Sequence, residues 1–361
     1  MPRVSASGAT VLVVGLGDLG GRVLTALARS PKIDRLVAAG RDDARTRAHA
    51  GQAALMARLT GGPRVVDSAR IDLLDVDAAA TALARAEPDV VVMGATEYTW
   101  WRDSRAELPY AAWLPLQVPL VRALMRARAA GAPGAHVVCL PFPDAIGPIL
   151  AAEGLAPTVG AGNVAEVAAK LEVLAGDGAD ARLVMHHASE RVALSAFASL
   201  AGTRDEPGEA PWAAHVEVAG AALAPERVDA LFRAPYPLRD GRETHELTTA
   251  STVAVVEGLL ADEPVRAHVP APDGRPGGYP VRLSRAGVAL DLPPGLGEAD
   301  AVDLNVRAAC WDGIGAIAAD GTVQLTEHAS VALSRVLGND VHAIAPADHD
   351  ALAAALRERA S

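Results

Sequence analysis

The sequence predicts a doubly wound α/β fold followed by a second α+β domain that carries a mostly antiparallel sheet. Three observations predict it. Between residues 10 and 140, short apolar runs alternate with helix-length segments, the pattern of a parallel sheet covered on both faces. The first run enters a glycine loop, GLGDLG, at Gly15 to Gly20. After "LPFPD" (140–144) the rhythm changes to alternating segments joined by turns, which read as antiparallel strands.

In order, residues 10–14 (TVLVV) read as a strand, 19–29 as a helix, 35–39 as a strand and 43–59 as a helix. Residues 64–70 follow as a strand, 76–86 as a helix, 89–93 as a strand, 111–130 as a helix and 135–140 as a strand. Gly160, Gly162 and Asn163 precede a helix at 164–175, with Val164, Val167, Leu171 and Leu174 on one face. A strand at 181–187, an exposed loop at 203–211 and strands at 213–219, 264–269, 279–284 and 287–291 come next. Residues 321–338 and a helix at 347–359 are expected to return to the first domain. The expected division is 1–140, 141–320 and a C-terminal segment, 321–361.

Half of the 361 residues are apolar, enough for a sizeable core. The formal charge of −11 and the lack of a basic stripe argue against nucleic acid or an anionic membrane as partner. No run approaches the roughly 20 apolar residues of a membrane-spanning helix. Cys139 and Cys310 show neither CxxC nor Cys/His metal spacing, so no metal is expected and a cytoplasmic protein is the plain expectation. Lys32 and Lys170 are the only lysines among 33 basic residues.

The glycine loop follows a strand and opens a helix, the context in which GxGxxG has a mechanism. Gly15 permits the tight turn, Gly17 lets the backbone approach a pyrophosphate, and Gly20 lets helix pack on strand. The helix start, with Asp18 and Leu19, supplies amide donors for phosphates. The second strand ends in Gly40–Arg41–Asp42. An acid there would hold the ribose 2′-hydroxyl of NAD. Arg41 instead suits a 2′-phosphate, so NADP is the favoured cofactor; a surface pair with Asp42 or Asp43 is the alternative. The missing acid also counts against a methyltransferase.

Ligands of such sheets bind at the carboxyl ends of the strands. Ala95 and Thr96, after the fourth strand, are expected near the ribose and nicotinamide. Tyr98, Trp100 and Trp101 follow, three of twelve aromatic residues. They read either as a pocket wall, with Trp101 on substrate and Tyr98 in catalysis, or as packing against the second domain. His186 and His187 close a strand with Glu190 just after. A histidine there can pass a proton as hydride moves at carbon, or be structural. Adjacent strand residues point to opposite faces, so one histidine at most is expected to face the pocket. His245 and Arg282 are further substrate candidates, and Asn163 is either a helix cap or a substrate hydrogen-bonder.

The glycine loop, the Arg41 strand end and the α+β second half resemble the saccharopine dehydrogenase-like family, specifically over residues 10–100. Dihydrodipicolinate and diaminopimelate reductases are similar in layout. "MHH" resembles the His-His stretch of the former, which continues with a lysine where Ser189, Glu190 and Arg191 stand here. The resemblance implies a nicotinamide enzyme, a homodimer, acting on a C=N or C=O bond of an amino-acid-like or keto-acid substrate. A catalytically silent NADP-binding regulator is the alternative. A short-chain reductase is set aside. Tyr98, Tyr110, Tyr236 and Tyr279 are followed four residues on by Arg102, Leu114, Asp240 and Leu283, never by the lysine that lowers the tyrosine's pKa in that class.

Overall fold

The computed structural model describes residues 8–98, 108–194, 208–239 and 241–360; Trp100, Trp101 and residues 203–207 lie outside them. The first half alternates β1 Thr10–Val14, α1 Asp18–Leu27, β2 Arg35–Gly40, α2 Asp43–Thr60, β3 Val65–Arg70, α3 Val76–Ala86 and β4 Val90–Met93. After a 3-10 turn, Tyr110–Leu116, come α4 Val118–Gly131, β5 His136–Cys139, α5 Pro143–Ala151 and β6 Val159–Gly160. These six strands form one parallel sheet in the order β3-β2-β1-β4-β5-β6, and the sequence in which strands are added reverses between β1 and β4, which stay parallel. That reversal opens a crevice at the carboxyl ends of the two strands.

The second half holds α6 Asn163–Ala175, β7 Ala179–Met185, α7 Glu190–Ala193, β8 Trp212–Val218, β9 Ala221–Ala222, α8 Pro225–Arg233 and α9 His245–Leu259. It continues with β10 Val265–Pro270, β11 Gly278–Ser284, β12 Gly287–Leu290 and α10 Glu298–Ala308. Its sheet, β10-β11-β7-β8-β9 with β12 on β11, is antiparallel. A small antiparallel sheet of β13 Ile314–Ile317, β14 Val323–Leu325 and β15 Ala343–Ile344 closes the chain, with α11 Glu327–Leu337 and α12 His349–Ala360.

Strand alternation sorts the parallel sheet's residues into two cores. Val11, Val13, Leu36, Ala38, Val90 and Val92 face one way, against α1, α2 and Val255, Val256 and Leu259 of α9. Leu12, Val14, Val37, Ala39, Val91 and Met93 face the other, against α3, α4, α5 and the C-terminal α11 and α12. Each large aliphatic side chain so buried contributes about 1.5–3 kcal/mol. The second half therefore shares a core with the first through α9.

Two local expectations are corrected. The helix expected over 111–130 breaks into the 3-10 turn and α4, because a continuous helix would set Pro119, which has no N–H, opposite the Pro115 carbonyl. The segment after residue 140, where antiparallel strands were expected to begin, opens instead with a helix: Phe142 takes a left-handed conformation (φ 42°) and Pro143 starts α5, a position where its missing N–H costs nothing. The parallel sheet then runs past residue 140 to β6.

Candidate active site

The crevice at the β1/β4 reversal is a cleft of about 720 Å³ lined by the glycine loop, Gly40 to Asp42, Arg45 and Gly94 to Glu97. Each loop glycine has its own task. Gly15 takes φ 90°, and a Cβ there would stand 2.2 Å from the Ala95 nitrogen. A Cβ on Gly20 would meet the Gly15 carbonyl oxygen at 2.0 Å. A Cβ on Gly17 would meet nothing; it would project into open space where the loop lines the cleft. Helix α1 starts at this point with no side-chain cap, so its first amides are free to bind an anion. These features fit a dinucleotide's pyrophosphate.

Gly15, Gly17, Arg41, Ala95 and Thr96 line the cleft. Asp18, Leu19 and Gly20 do not. Asp18 turns to His245 Nδ1 at 2.9 Å and to Arg22, Leu19 packs on the core, and Gly20 backs onto Gly15. At the end of β2 the nearest acid is already engaged: Asp42 caps α2, accepting from the Arg45 N–H at 3.0 Å. Arg41 is exposed, and Arg45 joins it, donating to the Leu16 carbonyl at 3.0 Å. Arg45 was missed; its place in the first turn of α2, four residues after Arg41, was the available signal. The C-terminal helix adds Asp350, Ala353 and Arg357 to the wall, and Arg357 pairs with Glu97.

A buried ionic cluster stands at the same edge of the sheet. Strand β7 ends at Met185, His186 leads into a 3-10 turn, and His187 starts it. The alternation of a strand stops there, so both histidines reach one acid, Asp312, against expectation. His187 Nδ1 donates to Asp312 Oδ2 at 2.8 Å, and His186 Nδ1 lies 3.3 Å from the same oxygen. Arg191 Nη2 lies 3.3 Å from Asp312 Oδ1. Asp144, at the start of α5, accepts from the His187 backbone N–H at 3.2 Å. That bond ties the cluster to the loop after β5, beside β4. Rings pack over it: Tyr110 stacks 4.6 Å from His187 and 3.9 Å from Phe142.

The charges are set by burial and pairing. Burial opposes the His187 charge, but the Asp312 carboxylate and its hydrogen bond outweigh it and raise the pKa. Burial likewise opposes the Asp312 charge, yet His187 and His186 hold that carboxyl well below the usual range. Burial pushes Glu190 well above the carboxylate range, and neighbouring Glu166, Asp144 and Asp312 add to the push. Burial also raises Asp144. Glu166, hydrogen-bonded by Thr248 at 2.8 Å, is pushed up to about 7 by burial. The Nδ1 bond of His187 leaves Nε2 for proton transfer, 3.8 Å from Glu190 Oε2.

The remaining candidates lie elsewhere. Tyr98 stacks on Trp113, ring centres 5.7 Å apart; the tyrosine over His187 is Tyr110. Arg282 stands on β11, half-exposed beside Asp291 at 3.5 Å, four residues along the strand from where it meets β7 at Gly278. His245 is tied to Asp18 at the glycine loop. Asn163 is the first residue of α6, whose cap is Gly162, and makes no capping bond. Trp101 is outside the described residues. Asp312, Arg191, Asp144 and Glu166 were missed. Only Arg191 carried a signal, adjoining Glu190.

Together the fold and cleft define a doubly wound dinucleotide-type domain joined to an antiparallel second domain. The chain is similar in structure to lactate dehydrogenase from Eimeria maxima, solved with NADH and oxamate, at TM-score 0.55 and 12% identity over 84% of this chain and 94% of that one. It is similar also to malate dehydrogenase from Salinibacter ruber, at 0.54 and 15% over 83% and 94%. Malate dehydrogenase from Cryptosporidium parvum matches at 0.55 and 13% over 84% and 96%. At these identities the likeness shows a shared fold. No family model and no curated protein sequence matches the chain. Among the described residues no helix is long and apolar enough to cross a membrane, and no group of three or more His, Cys, Asp or Glu is placed to hold a metal ion.

Proposed function

We propose that the chain is an NADP-dependent oxidoreductase that transfers hydride at a C=O or C=N bond of a small carboxylate-bearing substrate. The observation that carries this reading is the buried His187–Asp312 pair at the carboxyl edge of the dinucleotide sheet. A bound nicotinamide supplies or accepts the hydride. His187 Nε2 gives or takes the proton at the substrate heteroatom, and Asp312 fixes the ring's tautomer and supports its charge. Arg191 offers its unbonded Nε and Nη1 to the substrate carboxylate. Tyr110 and Phe142 shield the histidine from water. The lactate dehydrogenase of similar fold is named for a hydroxy acid, which supports the hydride-transfer class. The narrower kinship with saccharopine dehydrogenase-like enzymes, the homodimer and a cytoplasmic location belong to the same proposal, the kinship resting on residues 10–100. The buried ionised pair disfavours a silent regulator, which has no use for it.

NADP is preferred because Arg41 and Arg45 stand where NAD would meet an acid, and Asp42 is spent on its cap. Titrating NADPH and NADH against wild type and Arg41→Ala tests this. Loss of one charge-assisted contact costs about 1.5–3 kcal/mol, so NADPH should weaken roughly 10- to 150-fold while NADH stays unchanged. Equal wild-type affinities for the two cofactors would end the NADP assignment.

A further inference from the structure

The ionic cluster holds more than the proton transfer above requires. Four carboxyl groups, Asp144, Glu166, Glu190 and Asp312, crowd around one arginine and two histidines. All but the partly exposed His187 are buried, and three polar groups have atoms with no partner: Glu190 Oε1, Asp144 Oδ2, and Arg191 Nε and Nη1. Glu190, Asp144 and Arg191 are 5%, 3% and 7% exposed. Unpaired buried polar atoms are costly, so each demands a partner. The orphans are of two opposite kinds. The guanidinium nitrogens call for an anion. The carboxyl oxygens call for a donor, and a cationic one best offsets the excess of acids.

We propose that the substrate carries a cationic amino or imino nitrogen as well as a carboxylate, with Glu190 and Asp144 taking the nitrogen and Arg191 the carboxylate. This rests on the oxidoreductase reading and decides it in favour of nitrogen at or beside the reacting carbon. A plain 2-hydroxy or 2-oxo acid satisfies Arg191 and leaves Glu190 Oε1 and Asp144 Oδ2 without a charged partner. A site built to bond a substrate's N–H groups discriminates strongly against an analogue that lacks them. Burial favours the neutral form of both acids in the empty site. An arriving ammonium reverses that preference, because its charge supports the carboxylate.

The test uses matched pairs in which only the amino group changes: alanine and lactate, aspartate and malate, glutamate and 2-hydroxyglutarate, leucine and 2-hydroxyisocaproate. NADP reduction and calorimetric binding are both measured on the full chain. At least one amino acid should exceed its hydroxy partner by tenfold or more in kcat/KM or affinity. Glu190→Gln should collapse that ratio toward one. Asp144→Asn is the second variant should the first fail to fold. Hydroxy acids equal to or better than their partners overturn the inference. So do an unchanged ratio in a folded variant and no binding by either series. NADPH titration runs alongside. Cofactor binding without amine selectivity sinks this inference and leaves the oxidoreductase reading. Amine-selective binding without cofactor binding does the reverse.

Discussion

The cleft at the β1/β4 reversal and the ionic cluster share one edge of one sheet, yet they are built in different ways. The cleft is mostly backbone and short-range sequence. Its turn, its free amides, Arg41 and Arg45 come from residues 15–45, with 94–97 added just after the neighbouring strand and Arg357 from the C-terminal helix. The cluster takes Asp144, Glu166, His187, Glu190 and Asp312 from across 169 positions, three helices and two 3-10 turns. A glycine loop announces itself because the turn demands glycine. A buried acid announces nothing, since any surface helix supplies the same letter. The cleft tolerates exposure and presents charge to water. The cluster excludes water and obtains perturbed pKa values in return.

Removing one member of each region sharpens the contrast, and the largest effect is expected in the cluster. His187→Gln should lower kcat by about 10²–10⁴-fold while NADPH affinity stays at the wild-type value. The pH profile separates catalysis from mere support. In the reductive direction His187 must hold its proton, and its pKa is raised. The rate should therefore fall on the alkaline side, with a midpoint above the ordinary histidine value. In Asp312→Asn the carboxylate that raises the pKa is gone, so the midpoint should move down. Turnover near normal in His187→Gln, or a midpoint that ignores Asp312→Asn, removes His187 from proton transfer.

The glycine loop gives the next test, because neighbours in sequence should fail in opposite ways. Gly17→Val should fold normally and lose NADPH binding, since its side chain enters open space that the pyrophosphate would fill. Gly20→Ala should retain whatever cofactor affinity its folded fraction allows, but lose about 1–3 kcal/mol of stability to overpacking, because its Cβ would meet the Gly15 carbonyl. Thermal unfolding with and without NADPH reads both. A Gly17→Val protein that still binds NADPH would reduce the loop to a turn.

How much was legible follows the same division. The order of strands and helices through β5 could be read because each apolar run and each cap is local; Asp42 and Asp75 cap their helices three residues away. The interruption before α4 was visible as Pro115 and Pro119 but was outweighed by apolar periodicity. The pairing of His186 and His187 on one acid was misread, because alternation holds only inside a strand and β7 stops one residue earlier. Asp312 could not be found at all. It lies 125 residues from His187 and is brought there by the turn that follows α10.

Arg282 offers the smallest effect and the most direct check on where the substrate is held. In the sequence it is as good a carboxylate clamp as Arg191. In the fold its side chain is 45% exposed and shares Asp291 with Arg266, at 3.0 Å, and Arg182, at 3.7 Å. Asp291 keeps two partners when Arg282 is removed, so no carboxylate is left stranded. A solvent-exposed pair of this kind contributes about 0–1 kcal/mol. Arg282→Ala should therefore shift stability by no more than about 0.5 kcal/mol and leave kcat and KM at wild-type values. Arg191→Lys should raise KM for a carboxylate substrate, because an ammonium cannot reproduce the guanidinium's fork. The two variants are measured on the same substrate under the same conditions. If Arg282→Ala raises KM and Arg191→Lys does not, the substrate sits on the antiparallel sheet and the buried cluster is not its site.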